Sequence, residues 1–103
     1  MSQAAELCDE HAAKPRLVFF YSHQSGRCRR AEGFLAQVLQ RRRNHETFRV
    51  RMIAQEERPD LLERFRIDAT PTLLVVDGKV VKGKLVEPRG CGDIQTFLAP
   101  WLR

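Results

Sequence analysis

Blocks of apolar and polar residues along the first half of the chain predict a buried strand followed by a long helix. Residues 16–21 are dominated by the unbroken apolar run Leu17-Val18-Phe19-Phe20-Tyr21, which is typical of a strand buried on both faces of a sheet. From Gly26 onward, apolar residues recur at helical spacing: Phe34, Leu35, Val38 and Leu39. This pattern indicates an amphipathic helix that Asn44 closes, with Gly33 as a place where it can bend.

The second half predicts three further strands and two helices. Residues 47–53 alternate between polar and apolar and indicate a second strand, and residues 56–60 start a short helix with Pro59 in its first turn. A third strand at 72–76 is joined to a fourth at 79–86 by the hairpin turn Asp77-Gly78. The apolar residues of a closing helix are Ile94, Phe97, Leu98, Trp101 and Leu102. The order βαβα-ββα predicts a single domain over residues 1–103, with residues 1–14 as a short N-terminal helix or flexible segment.

Composition narrows the class of protein. The 103 residues are 43% hydrophobic and 30% charged, which is typical of a folded globular domain. The net charge of +5 would attract anionic partners, but the basic stretches lack interleaved aromatic residues, so we do not expect nucleic acid as a partner. No apolar stretch reaches the roughly 20 residues that span a bilayer, and residues 1–14 do not resemble a secretory signal. We therefore expect no membrane partner.

The cysteine content indicates a reducing compartment. Cys8, Cys28 and Cys91 are odd in number and lack the spacing of a disulfide framework, which predicts a cytoplasmic protein. Cys8 and His11 have the spacing of half a metal site, but no second pair of ligands lies nearby in sequence. We expect neither a metal nor a cofactor.

Candidate chemistry lies where the first strand meets the long helix. There, Ser25-Gly26-Arg27-Cys28 would face the free N–H groups of the helix N-terminus, which stabilise negative charge such as a thiolate. Further along, Ala69-Thr70-Pro71-Thr72 leads into the third strand. Together the two stretches resemble the thioredoxin superfamily, in which a C-x-x-C turn faces a cis-proline loop. The resemblance covers residues 15–102 and implies an α/β, thioredoxin-like fold: a four-stranded mixed sheet flanked by helices, without the first strand of a full thioredoxin.

The resemblance also implies that the redox site has degenerated. Ser25 stands in place of the nucleophilic first cysteine, Phe19 in place of the buried acid, and Arg27 in place of the proline of the turn. A serine hydroxyl cannot replace the thiolate that attacks a substrate disulfide. The Thr70–Pro71 bond is expected to be cis and close to the turn.

Two functional hypotheses follow from these residues. The favoured one is a redox-degenerate binding module that holds a protein or peptide partner in a groove beside the cis-proline. The expected groove residues are Tyr21, Gly26, Arg27, Thr70 and Pro71.

The alternative is a monothiol thiol-disulfide oxidoreductase or thiol carrier involved in cell redox homeostasis. It would use Cys28 as the catalytic residue, with glutathione or a partner's cysteine resolving the mixed disulfide. Nearby arginines and the helix N-terminus favour the Cys28 thiolate, whereas burial opposes it, and His23 is a candidate proton acceptor. The sequence therefore leaves open whether the protein is an enzyme.

Overall fold

The computed structural model describes residues 14–102, except for the side chains of residues 42 and 45. The predicted N-terminal helix falls almost entirely outside the described residues. The helices and strands, in chain order, are β1 (Arg16–Tyr21), α1 (Gly26–Gln40), a 3-10 helix (Arg41–Glu46), β2 (Arg49–Ala54), α2 (Pro59–Arg64), β3 (Thr72–Asp77), β4 (Val80–Val86) and α3 (Cys91–Leu98).

The strands form one mixed sheet in the order β2-β1-β3-β4. β1 is parallel to β2 and antiparallel to β3, and β3 is antiparallel to β4 with a register shift between Val75 and Val76. A parallel pair needs a long crossover connection, which α1 and the 3-10 helix supply. The predicted thioredoxin-like α/β fold, with a four-stranded mixed sheet and flanking helices, is thereby confirmed. The expectation that the first strand of a full thioredoxin is missing concerns residues that lie almost entirely outside the described part of the chain.

Both faces of the sheet are covered, so the core has two parts. Successive side chains of a strand point to opposite faces, and β1 therefore sends Leu17 and Phe19 to one side and Val18 and Phe20 to the other. The first side packs against α1 and α3, and the second against α2. All four of these side chains are at most 7% exposed, which confirms the expected double burial of β1.

Helix α1 ends earlier than the sequence predicted. Its last residue is Gln40, and the chain then tightens into the 3-10 helix, within which Asn44 lies. The Asn44 side chain is buried and donates a hydrogen bond from Nδ2 to the Arg41 carbonyl at 2.7 Å. Asn44 therefore stabilises the 3-10 segment and does not close α1.

Two other elements also differ from the prediction. β2 begins at Arg49 instead of Thr47, and its Val50 and Met52 remain 41% and 43% exposed. Among the described residues β2 is an edge strand, so no second strand covers that side of it. α3 ends at Leu98, and the chain turns so that the Trp101 N–H bonds to the Leu98 carbonyl at 2.8 Å.

Candidate functional site

Ser25 acts as the N-cap of α1. Its backbone is extended, with φ −106° and ψ 121°, and its hydroxyl oxygen accepts the N–H of Cys28 at 3.2 Å. Serine is among the preferred residues at this position because its short hydroxyl satisfies one of the free N–H groups of the first turn. At the position of the family's attacking sulfur, this chain thus has a hydroxyl that caps the helix.

Cys28 lies inside the protein. The residue is 2% exposed, and its Sγ accepts the backbone N–H of Ser22 at 3.2 Å. Phe19, at the position of the family's buried acid, is fully buried and stacks on Tyr21 with ring centroids 5.8 Å apart. A phenyl ring cannot exchange a proton with a thiol. Phe19 therefore cannot serve Cys28 as a general base.

The loop between β1 and α1 is held by two glutamates. Glu56 accepts hydrogen bonds from the Ser22 hydroxyl and, at 3.2 Å, from the His23 backbone N–H. The pKa of Glu56 is lowered from its ordinary value, and the largest cause is the hydrogen bond that the Ser22 hydroxyl donates to it. The His23 ring lies 3.2 Å from Glu57 and edge-on to Tyr21. None of these contacts of His23 involves Cys28, so the geometry gives no support to His23 as its proton acceptor.

The loop that precedes β3 lies beside the end of β4. The Thr70–Pro71 bond is cis, and the Pro71 carbonyl accepts the N–H of Glu87 at 2.7 Å. The Thr70 hydroxyl donates to the Gln55 side chain at 2.9 Å. No hydrogen bond between described residues uses the backbone N–H or carbonyl of Thr70.

A cavity of about 580 Å³ opens where this loop meets α1 and the segment between β4 and α3. Its walls combine apolar and charged side chains, and we call it the cis-proline groove: Arg27, Arg30, Phe34, Pro71, Val86, Glu87, Pro88, Arg89 and Asp93. Arg27 Nη1 and Glu87 Oε2 form an ion pair 2.9 Å apart at its edge. Of the predicted groove residues, Arg27 and Pro71 line it. Tyr21, Gly26 and Thr70 do not.

Glu87 was missed at the sequence level, although the register contains a signal for it. Because the Asp77-Gly78 hairpin makes β4 run back along β3, Thr72 pairs with Val86. Glu87, the residue after Val86, therefore lies beside Pro71. A count of pairs from the hairpin turn locates Glu87 only approximately, because the register shifts between Val75 and Val76.

Two further structural findings concern membranes and metals. Within the part of the chain that the structure describes, no helix has the length and apolar character needed to cross a bilayer. Among the side chains that the structure describes, which exclude those of residues 42 and 45, no three or more of His, Cys, Asp or Glu cluster so that they could hold a metal ion.

The fold is thioredoxin-like, and a serine, Ser25, caps α1 where the turn begins. The profile of the thioredoxin family matches residues 4–100, and the chain belongs to that family. No curated protein sequence matches it.

Solved structures with the same fold come from several organisms. Trxlp from Edwardsiella tarda is 19% identical with a TM-score of 0.77, over 100% of this chain and 96% of that one. The germline-specific thioredoxin Deadhead from Drosophila melanogaster is 17% identical with a TM-score of 0.78, over 97% and 90%. The oxidised thioredoxin of Plasmodium falciparum is 15% identical with a TM-score of 0.76, over 99% and 94%. At these identities the likeness shows the fold.

Proposed function

We propose that this protein is a binding module that holds an extended segment of a partner protein in the cis-proline groove and does not itself exchange disulfides. The observation that carries the proposal is the pair of side chains at the two ends of the turn, Ser25 and Cys28. Its first position is a hydroxyl that caps α1, and its remaining thiol, Cys28, is 2% exposed. A disulfide of another protein cannot reach that sulfur without a local opening of the fold.

The groove supports binding without any contribution from sulfur. An extended peptide that adds to exposed backbone groups gains affinity from main-chain hydrogen bonds and specificity from pockets for its side chains. The unpaired backbone groups of Thr70, which precedes Pro71 but does not itself line the cavity, offer the first. The cavity beside Pro71, with Phe34 and Val86 in its walls, offers the second. Its volume of about 580 Å³ lies within the roughly 300–1,000 Å³ of typical ligand pockets.

The monothiol alternative requires the sulfur of Cys28 to be exposed. A thiol that forms a mixed disulfide with glutathione or a partner must present its sulfur to solvent, because exchange proceeds by direct attack of one sulfur on another. The burial of Cys28 and its hydrogen bond from the Ser22 N–H weigh against this route.

The single-domain organisation and the cytoplasmic location remain predictions of the sequence.

Two assays test the proposal. Dithiothreitol-driven insulin precipitation should not be accelerated by the unmodified protein, and Ser25→Cys should restore only part of the activity, since Phe19 and Arg27 remain. Turnover near that of a working thioredoxin would contradict the proposal.

The second assay measures peptide binding by the unmodified protein and by three variants. A displayed library of random peptides is selected on the unmodified protein, and the retained sequences are then measured on variants. Val86 and Val81 are both exposed valines of β4, but only Val86 lines the groove. Val86→Trp should lose the peptides, whereas Val81→Trp and Cys28→Ala should keep them. Equal binding by Val86→Trp, or loss in Cys28→Ala, would refute a groove that works without sulfur.

A further inference from the structure

We propose that the cis-proline groove selects partner segments that carry an acidic side chain, and that Arg30 and Arg89, together with Arg27, bind its carboxylate. This inference rests on the proposed function, because it names the class of peptide that the groove takes. The charged groups of the groove are three arginines and two carboxylates.

The three guanidinium groups come from two sides of the groove. Arg27 and Arg30 are three residues apart in the first turns of α1, so their side chains lie on the same face of the helix. The Nη1 atom of Arg30 lies 3.9 Å from where a Cβ on Gly26 would stand, so its side chain turns back toward the N-terminus of α1. Arg89 belongs to the segment between β4 and α3 and lines the same cavity.

Each of the two carboxylates of the groove already has a partner. Glu87 pairs with Arg27 at 2.9 Å. Asp93 accepts the backbone N–H of Arg89 at 3.0 Å and lies in the first turn of α3, where the helix dipole favours a negative charge. No hydrogen bond or ion pair between described residues uses the guanidinium of Arg30 or of Arg89. The groove therefore has unmatched positive charge beside its apolar wall, which is complementary to a carboxylate.

The ion pair at the edge of the groove indicates how such a carboxylate competes. The Arg27 and Glu87 side chains are 71% and 41% exposed, and ion pairs at that exposure contribute little to stability. A partner carboxylate can therefore replace Glu87 on Arg27. Glu87 then acts as an internal competitor, and neutralising it should strengthen the binding of acidic peptides.

The test uses three fluorescent peptides with the same extended, uncharged sequence of Ser, Thr and Val, which differ at one central position: Glu, Gln or Lys. Affinities are measured by anisotropy for the unmodified protein and for Arg30→Gln, Arg89→Gln and Glu87→Gln. Arg64→Gln is the matched control, because it removes the same charge from α2, which packs on the opposite face of the sheet. Thermal melts check that every variant is folded.

We expect the Glu peptide to bind about two- to fivefold more tightly than the Gln peptide for each ion pair formed. Arg30→Gln and Arg89→Gln should reduce the preference for the Glu peptide over the Gln peptide. Arg64→Gln should leave this preference unchanged, and Glu87→Gln should increase it. Added salt should erase it, since ions screen exposed charges.

Equal affinities for the Glu and Gln peptides, tightest binding of the Lys peptide, or an equal effect of Arg64→Gln would overturn the acidic selectivity while leaving the groove as a binding site. Absence of binding by all three peptides, or unchanged binding in Val86→Trp, would overturn the proposed function and this inference together.

Discussion

Replacing Ser25 by alanine tests whether this position now serves the helix instead of redox chemistry. The Ser25 hydroxyl accepts the Cys28 N–H at the start of α1, and alanine has no acceptor to replace it. Because Cys28 is buried, its N–H would then lose its hydrogen-bond partner inside the protein. We expect Ser25→Ala to lower the free energy of unfolding without changing the fold.

The size of the effect follows from the geometry of the cap. Loss of an N-cap side chain costs about 0.5–2 kcal/mol. The bond is 3.2 Å long, at the upper end of the normal range for an N–H donor, so we expect the lower half, about 0.5–1 kcal/mol. For a domain of this size that corresponds to a fall of roughly 2–8 °C in Tm.

Urea titration followed by circular dichroism measures the difference, and Ser25→Asp is the matched control. Aspartate also caps helices, and its charge is favoured at a helix N-terminus, so this variant should match or exceed the unmodified protein. If Ser25→Ala were as stable as the unmodified protein, or if Ser25→Asp lost as much as Ser25→Ala, the cap would not be the role of this residue.

Three further predictions concern packing and charge. A Cβ on Gly83 would lie 2.9 Å from the Phe97 ring, so Gly83→Ala should destabilise by about 1–3 kcal/mol in urea titration; a stability equal to that of the unmodified protein would contradict this packing. Gly33 is exposed in α1 and has open space around it, so Gly33→Ala should stabilise by about 0.5–1 kcal/mol; a loss of stability would show that α1 needs a glycine there. The pKa of Glu56 is lowered from 4.5, chiefly by the Ser22 hydroxyl bond, so its contribution to stability is complete above 4.5 and disappears as the pH falls through the lowered value. A carboxyl NMR titration should show Ser22→Ala raising the pKa of Glu56 toward 4.5, and an unchanged value would contradict the assignment.

The fold could be predicted largely because its strongest signals are local. The apolar run of β1 is typical of a strand that is covered on both faces of a sheet, and the structure buries four of its five residues there, with Tyr21 partly exposed. The hairpin turn Asp77-Gly78 fixed the pairing of β3 and β4, with Gly78 at φ 64°, a conformation that glycine adopts without strain.

The details that escaped prediction depend on contacts distant in sequence. The 3-10 segment that follows α1 is stabilised by the buried Asn44 side chain and its bond to the Arg41 carbonyl, which helical periodicity does not reveal. The contact of Glu87 with Arg27 joins residues 60 positions apart, after a register shift in the hairpin. The serine at the first position of the turn was visible in the sequence, whereas the positions of Glu87 and Arg89 around the groove required the fold.

The central claim, that this turn has lost its disulfide chemistry, is tested most directly by the reactivity of Cys28. Cys8→Ser and Cys91→Ser leave it as the single thiol, and iodoacetamide labelling is followed by mass spectrometry over a range of pH, natively and in urea. Because Cys28 is 2% exposed, labelling of the native protein should be much slower than labelling in urea. Labelling of the native protein as fast as labelling in urea would identify an accessible thiol that can work as a monothiol, and would contradict the account of a binding module.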